Sequence, residues 1–493
     1  MTVLLLVRRF VDDYRRNGTN LLVLMLVPVV FVLVAADRLA DAARLLGGAD
    51  QDVVSVTAGW AAGFLAGVAM YFQVSSARAA DRRLVLAGLP RRQLVTARFT
   101  ASMMLGLLAA AVALLTLSAR DGLGSPTRVI TGTIMFAVIY LAIGAIVGAT
   151  MPNPPNGTVV LMFVWIIDVF FGPTMTPSDL VATRVLPTHF VSLWMVDVPT
   201  GHGGPGALTW AVTWTAGAVV VAILVVAKVC SVAHRTSVAR NPGSRWTQLR
   251  TELRMGWHDW RRTPTLWALL VVVPAVFIWM SDVSTPSGRT PVTLREHGRT
   301  FTEIVDPAHI HAGTMAPIAV GSLAALAGTF IALDAQAADR RLALAGQRQG
   351  VILAARMGMV MLTGLLASLA SLVVVATVFT PHQWDVYILG ILLVSASYGL
   401  IGVVVGPVFG RVSGTFLAFV IPFLDLGIGQ SPMVQGEPAG WARFLPGYGS
   451  VRVVIDGALT SGFDEAGSLV VALAWVALFV VVAGLYFRRT VTV

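Results

Sequence analysis

The sequence predicts an all-α integral membrane protein of twelve transmembrane helices, arranged as two parallel six-helix repeats, each opened by an amphipathic helix. Three observations carry this. Apolar side chains make up 56% of the 493 residues and charged ones only 12%, against about one-quarter charged in a typical soluble domain. The apolar residues gather in long uncharged runs and not in the stripes of a surface helix. A ten-residue string also occurs twice.

A bilayer core takes about 20 apolar residues as a helix. Runs near that length fall at 19–36, 53–72, 99–119, 129–151 and 205–227, and the run 157–173 contains one acid, Asp168. A second series occupies 263–281, 312–333, 357–380, 386–410, 412–431 (with Asp425 inside it) and 467–487. Placing the N-terminus in the cytoplasm puts the segments before 19, 78–98, 228–262, 340–356, Arg411 and Arg488-Arg489 on one side. That side collects most of the 35 basic residues, so positive-inside bias favours N- and C-termini both cytoplasmic. In residues 1–13, Arg8 and Arg9 follow a short Leu/Val run with no small-residue cleavage site, so this stretch reads as retained and not as a signal peptide.

The formal net charge is +10. A balance so basic raises nucleic acid as a partner, but the arginines lie between apolar runs, where topology accounts for them. The single cysteine, Cys230, excludes an intrachain disulfide and any Cys-based zinc or iron–sulfur site.

The repeat is the most informative feature. AADRRLVLAG at 79–88 returns as AADRRLALAG at 337–346, differing only at Val85/Ala343. DYRR at 13–16 matches DWRR at 259–262, Pro28 matches Pro274, and IGAIVG at 143–148 matches IGVVVG at 401–406. Asp168 matches Asp425, and Leu186-Pro187 matches Leu445-Pro446. The chain therefore divides into 1–245 and 246–493, within a basic linker where Asn241-Pro242-Gly243-Ser244 breaks the preceding helix. Six is even, so both halves enter the bilayer from the same side and an axis along its normal relates them, with a path between them. The outer loop after the first span is longer in the second half, 282–311 against 37–52.

Segments 3–16 and 246–262 mix arginines with Phe10, Tyr14, Trp246, Trp257 and Trp260, the signature of an interfacial amphipathic helix. The repeated loops set Asp81, Arg82 and Arg83, and Asp339, Arg340 and Arg341, on a helix-favouring background. Topology asks for charge but not for the same string twice, so a docking surface matched to a two-fold partner is the preferred reading. Asp168 and Asp425 sit inside apolar runs, where a mid-membrane carboxylate costs about 2.5–3.5 kcal/mol. Such acids usually face a cavity, so the pair is expected to line the path; a structural hydrogen bond or a helix-end carboxylate is an equal alternative. Asp306, His309 and His311 are metal-ligand types, but the first half lacks them, and they read as an ordinary loop. Gly144/Gly148 and Gly402/Gly406 have the spacing of close helix contacts. The scattered polar residues give no catalytic cluster.

Order, spacing and duplication together resemble an ABC-2-type exporter permease: an elbow helix, six spans, a helical first cytoplasmic loop, and a proline-led re-entrant segment after the fifth span. That segment reads LPTHFVSLWMVD at 186–197 and LPGYGSVRVVIDGAL at 445–459. The fused two-half form is similar to bacterial antibiotic (tetronasin-type) efflux permeases. The resemblance implies that two copies of a separate cytosolic ATPase, binding ATP and Mg, dock on the repeated loops. It further implies a hydrophobic or amphipathic small molecule moved out across the bacterial cytoplasmic membrane. A P-loop needs G-x-x-x-x-G-K-[ST], and the one lysine, Lys228, stands in LVVAKVC, so this chain carries no Walker A site. An ion-gradient-driven secondary transporter, with Asp168 and Asp425 carrying the ion, is the alternative.

Overall fold

A computed structural model describes residues 2–16, 18–45, 53–151, 153–175, 181–196, 205–229, 264–296, 299–344, 347–432, 438 and 440–491. The chain forms two compact units, Met1–His234 and Arg235–Val493. The Asn241-Pro242-Gly243-Ser244 linker, the division at 245/246, the amphipathic segment 246–262 and Cys230 lie outside the described residues.

In the first unit, α1 (Thr2–Arg16) lays Val7 against Ala97 and Ala101 of α5 (Arg91–Arg120), with Val3, Leu6, Phe10 and Val11 around them. Leu4 and Leu5 point outward. α2 (Gly18–Leu45) carries Pro28 within it. α3 (Val53–Ser75) is the buried centre, with Trp60 and Tyr71 fully enclosed. α4 (Arg78–Leu86) is a short helix beyond a turn at Ser76-Ala77. Prolines set the next boundaries: Pro90 caps α5 in extended conformation, while α6 (Pro126–Thr150) and α7 (Pro154–Phe170) begin on proline. The ring's fixed φ and missing N–H suit a first helical turn. A 3₁₀ turn (Val181–Val185), α8 (His189–Met195) and α9 (Pro205–Val229) follow. α6 packs on α3 at backbone distance: a Cβ at Gly144 would strike the Gly67 carbonyl, and one at Gly148 would lie 2.9 Å from the Tyr71 carbonyl. Small residues at this spacing let helices approach closely.

The second unit begins with α10 (Pro264–Ser284), which carries Pro274 inside it as α2 carries Pro28. The long loop then folds as an antiparallel hairpin, β1 (Thr290–Glu296) and β2 (Arg299–Val305), paired from Thr290↔Val305 to Glu296↔Arg299. These two strands stand in a loop, and the other regular elements among the described residues are helical. β1 buries Thr290, Val292 and Leu294 and exposes Pro291 and Arg295, the period-two alternation of a half-buried strand.

After α11 (Pro307–Leu344) and α12 (Gln349–Val378) comes α13 (Trp384–Pro422), in which two helices meet across a kink at Gly410, φ 77° and ψ −177°. A π-helical turn (Phe423–Gly429), a 3₁₀ turn (Gly440–Phe444), α14 (Gly447–Leu459) and α15 (Ala466–Val491) complete the unit. Among the described residues nine helices are long and apolar enough to cross a membrane, and α7 and Ala268–Ser284 are shorter apolar helices. The runs 386–410 and 412–431, expected as separate spans, are joined in one of the nine, Trp384–Gly429, and meet at the Gly410 kink.

Candidate functional site

The repeated string does not fold identically in its two settings. In the first unit it lies largely in α4; in the second it is the end of α11. Both copies nevertheless turn their aspartate inward. Arg98 on α5 grips Asp81 through two nitrogens, its Nε at 2.7 Å, and donates from Nη1 to the Gln73 carbonyl at 3.1 Å. Arg356 on α12 grips Asp339 with Nε at 3.1 Å and Nη2 at 2.7 Å. Side-chain exposure is 13% and 10% for Asp81 and Arg98, and 4% and 19% for Asp339 and Arg356, so each pair has one buried and one half-buried partner. In the first unit the guanidinium also lies over the Phe10 ring, 4.4 Å from its centroid, which ties α1 to the base of the loop. Arg83, Arg340 and Arg341 face outward, while the Arg82 side chain lies outside the described residues. Of the six loop residues singled out in the sequence, the two acids thus fasten the loop and the described arginines face away from the core.

Asp168 stands in the last turn of α7 and Asp425 in the π turn after α13, each 3% exposed. Tyr140 of α6 donates its hydroxyl to Asp168 Oδ2 at 2.6 Å, Thr188 donates its hydroxyl to the same oxygen at 2.6 Å, and the Thr188 backbone N–H reaches Oδ1 at 3.2 Å. In the second unit Tyr398 of α13 donates to Asp425 Oδ2 at 2.5 Å, the Gly447 N–H to Oδ2 at 2.8 Å, and the Gln430 amide to Oδ1 at 3.1 Å. Thr188 and Gly447 each follow a Leu-Pro pair, so each acid joins the proline-led segment to the long helix before it. The sequence reading missed both tyrosines and both arginines. The signals were present: Tyr-x-x-Ile-Gly at 140–144 and 398–402, and an arginine seventeen residues after each loop aspartate.

Asp306, His309 and His311 do not converge. Asp306 accepts the Gly288 and Ala308 backbone N–H groups, both at 3.0 Å, capping α11; these bonds hold its carboxyl below the usual range. His311 is buried with Nδ1 2.5 Å from the Thr285 hydroxyl, while His309 is exposed. Among the described residues no three His, Cys, Asp or Glu side chains gather as a metal site would require. The second unit also has a pocket beside its loop ion pair, bordered by Gln336, Arg356, Met357, Tyr486 and Phe487.

No curated protein matches this chain. Residues 50–228 match the sequence model of the ABC-2 family transporter protein. The matched stretch is little more than a third of the chain; it runs from just before α3 to the end of α9 and so includes α4, Asp168 and Leu186-Pro187. With the nine long apolar helices among the described residues, that match supports a multi-pass membrane protein that carries an ABC-2 family transporter region.

Proposed function

We propose that this chain is the complete membrane pathway of an ATP-driven exporter, its two units acting as the two halves of one permease. Each unit contributes six spans, with α7, α10 and the two arms of α13 counted among them, and both termini lie in the cytoplasm of a bacterial cell. α1 and segment 246–262 serve as interfacial elbows. The cargo is a hydrophobic or amphipathic small molecule such as a drug or antibiotic, moved outward using ATP hydrolysed with Mg on two copies of a separate subunit.

The family match supports the transport role, and the observation that carries the coupling assignment is the duplicated loop with its duplicated ion pair. A helix held by such a pair can pass a push from a docked ATPase to α5 or α12 without deforming, because the pair fixes its seat. Arg82, Arg83, Arg340 and Arg341 form the docking face; Asp81 and Asp339 hold that face in position. Rocking of the halves then switches the side to which the path opens.

The test is co-expression with an ABC ATPase from the same genome and purification through a tag on this chain. Copurified ATPase activity that falls when Arg82, Arg83, Arg340 and Arg341 are changed to alanine supports the reading. Retention of no ATPase, together with transport driven by a proton gradient alone in proteoliposomes, replaces it with secondary transport.

A further inference from the structure

We propose that Asp168 and Asp425 are latches: each holds the proline-led segment of its own unit to the preceding long helices, so that segment and helices move as one body, and neither carboxylate touches cargo. An acid that serves cargo keeps lone pairs directed into a cavity. Here each carboxylate is almost wholly enclosed and receives three donors from its own unit. Two of the three come from the same places in both units, a tyrosine hydroxyl on the fourth long helix and the backbone N–H just after Leu-Pro.

The third donor is where the units differ, and the difference is compensated. The first unit uses the Thr188 hydroxyl. Its counterpart is Gly447, where a Cβ would stand 2.8 Å from the Tyr398 hydroxyl and 2.9 Å from Asp425 Oδ1, so a threonine does not fit. Gln430 supplies the donor in its place and also donates to the Ala442 carbonyl at 2.7 Å. Different side chains that restore the same number of bonds indicate that the carboxylate is there to be held by the protein. A carboxylate deprived of donors inside a bilayer is costly, so the latch resists opening.

The experiment uses full-length protein in lipid nanodiscs, with Cys230→Ser and a reporter at Val191→Cys in α8 or Val451→Cys in α14, both buried in the parent. Maleimide labelling rates are then read. Asp168→Asn is expected to raise labelling at 191 at least fivefold and leave 451 within twofold; Asp425→Asn does the reverse. Tyr140→Phe and Tyr398→Phe, which remove one hydroxyl each, raise their own unit's rate by a smaller factor and keep the test open if an Asn variant does not fold.

In cells that also make the ATPase, efflux of ethidium by the Asn variants slows at saturation with its half-saturating concentration unchanged. Parental labelling in both Asn variants overturns the proposal. So does a shifted half-saturating concentration with parental labelling, which marks an acid in contact with cargo. The latch rests on the permease reading only for its role in transport: the labelling arm needs no ATPase, so the two can fail separately.

Discussion

In the first unit the repeated string forms a separate nine-residue helix, α4, set off by a turn, whereas in the second it is the last stretch of the 38-residue α11. The exit from the fourth long helix differs too. Prolines at 154 and 155 start a new helix in the first unit, and a left-handed glycine, Gly410, makes the kink in the second. What the units share is finer: the Asp–Arg pair seventeen residues apart and the carboxylate held by a tyrosine and a backbone N–H. The two units share the polar ties and differ in their helix boundaries. This is physically reasonable, because a boundary can move by a turn at small cost while a buried charge cannot lose its partner.

That contrast can be broken most severely at the ion pairs. Arg98→Met or Arg356→Met leaves a half-buried or buried aspartate alone, a loss of about 3–5 kcal/mol. Arg98→Met is expected to lower the unfolding temperature of purified protein more, since Arg98 also holds Phe10 and the Gln73 carbonyl. Recovery of most of the loss in the double variant Asp81→Ala with Arg98→Met would assign it to the stranded charge; no recovery would assign it to lost packing.

Next come the close helix contacts. Gly144→Ala and Gly402→Ala each drive a Cβ into a carbonyl of the neighbouring helix, Gly67 or Ala325, and are expected to cost about 3 kcal/mol as overpacking. Equal shifts in unfolding temperature would show that both units depend on the same approach. Gly410→Ala, at a backbone conformation essentially reserved for glycine, is expected to cost about 2 kcal/mol. Pro154→Ala at the corresponding exit costs less than about 1 kcal/mol, because alanine adopts the first-turn conformation freely. Similar losses for the two would remove the distinction between the exits.

The smallest effects belong to the hairpin, which has no counterpart among the described residues of the first unit. Arg452 on α14 donates to the Thr293 carbonyl at 3.1 Å, and Ser461 donates to Glu296 at 2.5 Å. Ser461→Ala is expected to cost about 0.5 kcal/mol and to speed amide exchange in β1 without altering α14. Asp306 sharpens the same point through pH. Its carboxyl is held below its ordinary value of about 3.9, so its stabilising bonds are complete above that value and are lost as pH falls through the lower folded-state value. Exchange at Gly288 and Ala308 should therefore stay slow at pH 5 and quicken only in stronger acid, whereas Asp306→Asn should quicken it at every pH.

Much of the fold was legible in the sequence because long apolar runs have one solution in a bilayer, the helix. The runs at 53–72 and 99–119 lie inside α3 and α5, those at 129–151 and 357–380 start inside α6 and α12 and end no more than two residues beyond them, and proline marks several starts. The hairpin was not read, since the loop was noted only for its length and for Asp306, His309 and His311, and the alternation of Val292 and Leu294 went unused. The loop aspartates were read as part of a docking surface; the arginines that hold them stand at the beginnings of apolar runs, where topology already explained a positive charge.

By itself the sequence determined that the chain is apolar enough for a membrane, that a ten-residue string returns with one change, and which residues match. Composition and period are properties of the chain, and they survive any arrangement of the helices. Tertiary structure alone decided which way the repeated charges face. Asp81 and Arg83 are neighbours in one string, yet one is half-buried against Arg98 and the other is exposed. It also decided that Asp168 and Asp425 each receive three donors from their own units. A hydrogen bond requires two groups within about 3 Å, and that proximity is created only when the helices pack.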